Sequence, residues 1–145
     1  MRIESLHSVT SARLVMIAIE ATLRTAAFAF ANPQIGLLVV CDGNGRAAGI
    51  VSKSDIIRHL RDVGATDAPI ANLMVRNIVS CRREDDLYDS WQKMAARNLQ
   101  NMPVLSGDCT PVGVLDIRDA LKVLFEQEKY QEQLLFNYVA GVGYQ

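Results

Sequence analysis

The stretch Gly49–Asp55, with the sequence GIVSKSD, brings a hydroxyl, a cation and a carboxylate together within four residues. The apolar residues before Ser52 suit the end of a strand, Ser52 suits the N-cap of a helix, and Asp55 follows within the first helical turn. A carboxylate accepts hydrogen bonds from a ribose diol, whereas a helix N-terminus or a cation such as Lys53 suits a phosphate. Each group also has an ordinary structural use, because serine caps and first-turn carboxylates stabilise helices without any ligand.

The stretch Gly113–Asp119, with the sequence GVLDIRD, has the same layout with one difference. Asp116 stands where the first stretch has its capping serine. A carboxylate caps a helix as well as serine does, but it occupies the positive end of the helix dipole that a phosphate needs. Arg118 suits either a phosphate or a pairing with Asp116 itself. We therefore expect a ligand beside the first stretch rather than beside the second, whose function Asp116 leaves open.

The two stretches are parts of a repeat that runs through the chain. Sliding the chain against itself by 64 residues aligns identical residues in order and without a gap: Val15 with Val79, Glu20 with Glu84, Leu23 with Leu87, Ala31 with Ala95, Val40 with Val104, Gly43 with Gly107, Gly49 with Gly113 and Asp55 with Asp119. Other aligned pairs keep their apolar character, as Leu14 does with Ile78. The chain is therefore predicted to hold two copies of one supersecondary unit.

Both copies have the same predicted order of elements. Strands are expected at 14–19 and 36–41 in the first copy and at 78–81 and 102–105 in the second, with a turn and a third strand following in each. Helices are expected after N-caps at Thr22, Ser52, Asp86 and Asp116. The order strand, helix, strand, strand, helix, found twice, predicts an α+β fold.

With that order and those stretches, the chain resembles the CBS domain family, whose units end in Gly, two apolar residues, Ser or Thr, two variable residues and Asp. The stretch 49–55 fits this pattern at every position, and 113–119 fits it at all but Asp116. The second copy also has Pro103 in a segment similar to the family's proline-containing strand start, where the first has Val39. The resemblance covers roughly residues 10–124.

The resemblance implies CBS domains at 8–66 and 67–125, followed by a helical extension at 126–145. In that family two β-α-β-β-α units pack sheet to sheet with pseudo-twofold symmetry, and their two clefts often hold AMP, ADP, ATP or S-adenosylmethionine. The ligand contacts implied for this chain are Ile17, Val39, Val40, Ser52, Lys53, Asp55, Pro103, Val104, Arg118 and Asp119.

The function that follows from the resemblance is a stand-alone regulatory sensor that binds an adenine nucleotide and modulates a partner protein, whose identity the sequence leaves open. One alternative is a structural dimerisation module whose clefts are closed by side chains. A second alternative is a small enzyme with an unrecognised site. The sequence contains no Walker loop and no Ser-His-Asp set in a familiar context, so we expect no enzyme activity and no catalytic cofactor.

Composition argues against several other classes. A formal net charge of -1 and a pI near 6.1 give no basic excess for binding nucleic acid. The longest apolar stretch, 21–41, is interrupted by polar residues, and the N-terminus lacks a signal-like apolar core, so we expect no membrane span and a cytoplasmic protein. Cys41, Cys81 and Cys109 form no CxxC pair and are expected to be buried, reduced thiols. Neither histidine has a second ligand nearby, so no metal site is expected.

The C-terminal segment continues the last helix beyond the repeats. Its polar stretch, 126–133, is rich in helix formers and is expected to be solvated. An apolar cluster follows, consisting of Leu134, Leu135, Phe136, Tyr138 and Val139. Such a cluster needs a surface to cover. We expect it to pack on a second subunit or to fold back along the first, with a homodimer preferred because closed twofold pairs are the commonest assembly.

Overall fold

A computed structural model describes residues 1–142 of the chain, with side chains as far as Ala140, so the last residues of the predicted extension, 143–145, lie outside the described residues. The helices and strands are α1 (His7–Ala12), β1 (Met16–Ala18), α2 (Leu23–Phe30), β2 (Leu37–Cys41), β3 (Ala47–Ser52), α3 (Lys53–Asp62), α4 (Leu87–Ala96), β4 (Asn101–Leu105), β5 (Pro111–Asp116) and α5 (Ile117–Val142). Short turns of 3₁₀ helix lie at Ile3–Leu6 and Ile70–Asn72.

The first repeat forms the complete predicted unit. Strand β2 lies in the centre of a three-stranded sheet, parallel to β1 and antiparallel to β3. The regular part of β1 is shorter than the expected 14–19, but the Val15 carbonyl and the Ile19 N–H still pair with β2. Helix α2 begins at its predicted cap, where the Thr22 side chain accepts a hydrogen bond from the Thr25 N–H. The local sequence patterns therefore predict this half correctly.

The second repeat lacks its first strand, so the strand predicted at 78–81 is wrong. Only Cys81 pairs with the sheet, through a single parallel bridge to Val104. The three residues before it are half-buried, and the carbonyl of one of them, Ser80, accepts a hydrogen bond from the Lys93 ammonium at 3.0 Å. The apolar run is short and interrupted, which leaves β4 and β5 as a two-stranded sheet. Helix α4 begins at the predicted cap Asp86.

The two sheets pack against each other through their inner faces, as the resemblance implies. Because side chains alternate along a strand, β2 turns Leu38 and Val40 toward its own helices and Leu37, Val39 and Cys41 toward the other repeat. The latter three cluster with Val114 of β5. Burial of one such side chain contributes about 1.5–3 kcal/mol. Either repeat alone would expose this inner face to water.

The N-terminal segments of the two repeats are exchanged, so that each packs on the sheet of the other repeat. Thr10 of α1 packs on Gly113 in the second repeat, and Met74, its partner under the 64-residue shift, packs on Gly49 in the first. Backbone hydrogen bonds also join each segment to the opposite repeat. The Met1 carbonyl accepts from Leu87 N–H at 2.8 Å, and the Ala68 carbonyl accepts from Leu23 N–H at 2.9 Å. These reciprocal contacts establish the pseudo-twofold relation of the two units.

The exchanged contact at Gly113 should be sensitive to a single methyl group. Gly113→Ala would bring the new Cβ to 2.8 Å from Thr10 Oγ1 and 2.9 Å from Thr10 Cβ, inside normal contact distance. We expect the free energy of unfolding to fall by about 1–3 kcal/mol because α1 must move away from β5. Urea denaturation measures the change, with Gly107→Ala as the control because a Cβ there meets nothing within 4 Å. Equal stability of the two variants would contradict this packing.

Two of the three thiols are buried, as expected, and the third is not. Burial, with a smaller contribution from Asp85, raises the pKa of the Cys81 thiol to about 12, and burial also raises the pKa of Cys41. Both thiols are therefore protonated at neutral pH. Cys109 is exposed, because it occupies the β4–β5 turn with φ of 66°. The expectation that all three are buried is wrong at this position.

Helix α5 runs for 26 residues, about 39 Å at 1.5 Å per residue. Its beginning packs on α4, and the polar stretch beyond Phe125 is largely exposed, as predicted. The apolar cluster of the extension is also exposed, with Phe136 and Tyr138 each at 72%. Because the helix is continuous, this cluster does not fold back along its own chain. That alternative is therefore wrong for the described residues.

Candidate functional site

The first candidate site lies at the junction of β3 and α3, and we call it the first cleft. The Ser52 side chain accepts a hydrogen bond from the Asp55 N–H at 3.3 Å, and the Ser52 N–H donates to Asp55 Oδ2 at 2.8 Å. This capping box fixes both side chains at the start of the helix. Its geometry leaves Asp55 Oδ1 to an exposed arginine, Arg58, at 3.3 Å. Because Arg58 is exposed, water competes with Asp55 Oδ1 for its guanidinium, and this ion pair is weak.

Two cationic residues of α3, Lys53 and Arg58, lie close to Asp55 in the chain. Lys53 is the first residue of α3, and its ammonium lies 6.0 Å from the centre of the Phe30 ring. Arg58 lies one turn along the helix. Arg76 follows Val75 in the chain, and the Val75 backbone pairs with Ile50 of β3. Lys53 and Arg58 thus place two cationic side chains on the same helix as Asp55, an arrangement that suits a phosphate.

The second candidate site lies at the junction of β5 and α5, and we call it the second cleft. Here an arginine from the N-terminal segment of the first repeat contacts Asp119, the carboxylate aligned with Asp55. Arg13 donates from Nε to Asp119 Oδ2 and from Nη2 to Asp119 Oδ1 at 3.1 Å. Its Nη1 donates to the Gln34 carbonyl at 2.7 Å and lies 3.6 Å from Asp116 Oδ2. The Arg13 side chain is 14% exposed, so both carboxylates of the second cleft share one largely buried cation.

Asp116 is the most buried charged group of this site, with 2% of its side chain exposed. Its Oδ1 accepts hydrogen bonds from the Arg118 backbone N–H at 2.8 Å and from Arg118 Nε at 3.0 Å. Burial acts to raise the pKa of this carboxyl, but the hydrogen bonds from Arg118 and the charge of Arg13 outweigh burial and lower it. Asp116 is therefore ionised at neutral pH. Of the two pairings open to Arg118, the structure adopts the one with Asp116.

The apolar residues implied as ligand contacts lie in the sheets, away from the polar groups. Val39 and Val40 are fully buried in the central strand, and Ile17 is half-buried beside Val40. Pro103 and Val104 are buried in β4. These five side chains pack in the protein core, so a ligand would reach them only where the core opens. Their contact with a ligand stays a prediction, whereas Ser52, Lys53 and Asp55 do lie together.

Arg13 is the site residue that the sequence analysis missed. It lies outside both stretches, and its partner Asp119 is 106 residues away. The 64-residue shift pairs Arg13 with Asn77, so the exchanged segments carry different residues at equivalent positions. The sequence alone shows the alignment of Arg13 with Asn77. It does not show that Arg13 contacts Asp119, because that contact depends on the exchange of these segments between the repeats.

Among the described residues, no group of His, Cys, Asp and Glu side chains is arranged to hold a metal ion. None of the helices in residues 1–142 is both long enough and apolar enough to cross a bilayer.

A groove of about 370 Å³ between α4 and α5 is lined by residues of neither cleft: Tyr88, Trp91, Leu121, Leu124, Phe125, Gln127, Glu128 and Gln131. Its walls are mainly apolar, so it suits a protein surface better than a nucleotide.

The first repeat is a complete β-α-β-β-α unit, and the second has the same order without the first strand. The two repeats pack sheet to sheet about a pseudo-twofold axis, with a polar stretch at each strand-to-helix junction, and so define a tandem-repeat module. The family model for the CBS domain matches this chain twice, at residues 6–62 and 70–126. The chain therefore belongs to the CBS domain family.

Solved structures share the whole arrangement. The CBS domain pair of protein MJ0100, in complex with 5'-methylthioadenosine and S-adenosyl-L-methionine, is 20% identical and superposes with a TM-score of 0.74, covering 88% of this chain and 98% of that one. The CBS domain protein PAE2072 from Pyrobaculum aerophilum, complexed with AMP, is 25% identical with a TM-score of 0.72, covering 82% of this chain and 89% of that one.

Curated relatives have a similar level of sequence identity, between 22% and 29%. An uncharacterised 17.7 kDa protein of Acidianus ambivalens is 22% identical over 137 residues, which are 93% of this chain and 82% of that protein. The chain spans only about a third of the length of two further relatives. The similarity to those two is therefore limited to the module itself.

Proposed function

We propose that the chain is a non-catalytic regulatory module that binds an adenine nucleotide in its first cleft and modulates a partner protein. The observation that carries this proposal is the difference between the two clefts. In the first, Asp55 Oδ1 is held only by the exposed Arg58. In the second, Asp119 is held on both oxygens by the largely buried Arg13. A ribose diol needs a carboxylate that can accept its hydroxyls, and only the first cleft offers one at little cost.

The charges of the first cleft favour a phosphate-bearing ligand. The structures of MJ0100 and PAE2072 contain different adenosyl compounds, of which AMP carries a phosphate. Lys53 and Arg58 of this chain place cationic side chains on α3, on the same helix as Asp55. AMP, ADP or ATP would gain from these charges, whereas the cationic sulfonium of S-adenosylmethionine would not. We therefore place the phosphorylated nucleotides ahead of S-adenosylmethionine.

A ligand in the first cleft would contact both repeats. Ser52 and Asp55 belong to the first repeat, while Val75 and Arg76 belong to the exchanged segment that leads into the second. Binding would favour the arrangement of the repeats in which these groups face the same ligand. A partner that distinguishes this arrangement from others would then respond to the nucleotide, by a shift of population between the two states.

Thermal unfolding with and without ligand tests this function. A ligand at 100 times its dissociation constant adds about 2.7 kcal/mol to the folded state, which raises the unfolding midpoint of a chain of this size by about 5–10 °C. We expect AMP, ADP or ATP to raise the midpoint more than S-adenosylmethionine does, and the nucleotide to be recovered chemically unchanged. No shift with any of the four would favour the structural module, and a converted nucleotide would favour an enzyme.

We also propose that α5 joins two copies of the chain. One end of this helix forms a wall of the apolar groove with Tyr88 and Trp91, and its other end carries the exposed cluster that includes Leu135 and Val139. A continuous helix cannot bring its own end back to its own groove. Two antiparallel α5 helices would place each cluster on the other copy's groove, which closes the pair with twofold symmetry.

Truncation after Glu126 tests the role of α5 in dimer formation. We expect sedimentation velocity to show a dimer for the full chain and a monomer for the truncated chain at the same concentration, because the apolar cluster is removed. A double substitution, Leu135→Glu with Val139→Glu, keeps the helix length and should have the same effect, whereas Gln133→Glu should not. A truncated chain that dimerises with unchanged affinity would show that α5 is not the dimerisation element.

A further inference from the structure

We propose that Arg13 is the chain's own occupant of the second cleft and closes it to nucleotides. This inference rests on the proposed function, because it explains why one cleft of the pair is free to bind a nucleotide while the other is not. Its basis is the set of contacts made by one guanidinium with three parts of the fold: the α2–β2 connection, the end of β5 and the first turn of α5.

Arg13 uses its hydrogen-bonding capacity within the protein. A guanidinium has five N–H donors and no acceptor. Nε and Nη2 form a two-point contact with Asp119, and Nη1 donates to the Gln34 carbonyl. The hydrogen bond to Asp119 raises the pKa of Arg13 further above its already high normal value, so the group is charged at any physiological pH. Removal of this cation would leave Asp116, which is 2% exposed, with Arg118 as its remaining ion-pair partner.

The groups occupied by Arg13 are those that a nucleotide would need. Asp119 is the aligned counterpart of Asp55 under the 64-residue shift, and Asp116 is the counterpart of Ser52. A ribose would have to displace a charged, two-point hydrogen bond from Asp119. A phosphate would meet the charge of Asp116 at the helix N-terminus, where the first cleft has a neutral hydroxyl. Both halves of a nucleotide are therefore excluded by the same arrangement.

The first cleft differs because its exchanged segment carries Asn77 at the position equivalent to Arg13. A neutral amide brings no charge to Asp55, which leaves that carboxylate to the exposed Arg58. The pseudo-twofold fold thus presents two versions of one site. In the second cleft, Arg13 of the same chain neutralises the carboxylates. In the first cleft, cationic side chains remain available to an anionic ligand.

The decisive variant copies the first cleft into the second. Arg13→Asn with Asp116→Ser reproduces Asn77 and Ser52 at the equivalent positions while leaving Asp119 in place. We expect calorimetric titration with AMP to give one nucleotide per wild-type chain and two per chain of this double variant. Asp119→Ala in the double variant should remove the added nucleotide. Two nucleotides per wild-type chain, or an unchanged single nucleotide in the folded double variant, would overturn the proposal.

A second measurement needs no nucleotide, so it separates this inference from the proposed function. Arg13→Asn should lower the thermal unfolding midpoint by more than about 4 °C, because it breaks a largely buried charge pair. Asp119→Asn should lower the midpoint of the wild type clearly more than that of the Arg13→Asn variant. Additive effects of the two substitutions would show that Arg13 does not occupy Asp119 in solution. If no titration shows AMP binding but the effects are non-additive, the proposed function fails while the occupancy by Arg13 stands.

Discussion

Asp55→Ala should weaken AMP binding by about 10- to 100-fold, because a hydrogen bond to a charged group contributes about 1.5–3 kcal/mol. Asp119→Ala should change the affinity less than about 2-fold, since the guanidinium of Arg13 already holds that carboxylate. Two aspartates at equivalent positions of two similar repeats are thus expected to differ strongly in their effect. Fluorescence or calorimetric titration of both variants measures the difference.

The control for Asp55 must account for its structural role. Asp55 completes the capping box with Ser52, and loss of a cap costs about 0.5–2 kcal/mol of stability. Asp55→Asn retains a side-chain oxygen that can accept the Ser52 N–H but removes the charge, so weaker binding by this variant reflects the ligand rather than the helix. Asp62→Ala, on the same helix but at its far end, should bind AMP as the wild type does. A loss confined to Asp119→Ala would place the nucleotide in the second cleft, and equal losses for Asp55→Ala and Asp119→Ala would show that the two clefts do not differ as proposed.

A fragment of residues 1–68 should not fold cooperatively as a monomer. It contains the whole first sheet, but it lacks Val114, which covers Val39 and its neighbours on the inner face. It also lacks Met74 and Val75, which pack on β3. At about 1.5–3 kcal/mol for each apolar side chain returned to water, the loss is comparable to the whole stability of a small domain.

Circular dichroism during urea titration, combined with sedimentation, measures the folding of this fragment. We expect either a broad, non-cooperative transition or a homodimer in which a second copy of the inner face replaces the missing repeat. The full chain under the same conditions is the control and should unfold in one sharp transition. A cooperative monomer of residues 1–68 would show that the inner face does not need the second repeat.

The parts of the fold predicted correctly from the sequence depend on local chemistry. Thr22 and Asp86 cap their helices as expected because a cap needs only its own backbone amides within three residues. The pseudo-twofold pairing follows from the 64-residue repeat, since two similar units with one apolar face each can bury those faces together. The strand predicted at 78–81 failed because the apolar pattern does not reveal that Ser80 is tied to Lys93 of α4 instead of to a strand.

In the candidate site, too, the local features were predicted from the sequence and the long-range contacts were not. The positions of Ser52 at the N-cap and Asp55 in the first turn were predicted from the local sequence, and the structure adds that the two form a capping box. The contact of Arg13 with Asp119 joins residues 106 positions apart and depends on the exchange of segments between the repeats. A single sequence shows that Arg13 and Asn77 are aligned, but it does not show which side chains they meet. The polarity of each cleft is therefore a property of the assembled pair of repeats.

A crystal structure of the full chain grown with AMP would show which cleft binds the nucleotide. We predict one nucleotide per chain, in the first cleft, with its ribose hydroxyls on Asp55 and its phosphate at the N-terminus of α3 beside Lys53. Arg13 should remain on Asp119 in the same crystal. A nucleotide in the second cleft with Arg13 displaced, or both clefts empty at saturating AMP, would contradict the assignment of the nucleotide to the first cleft.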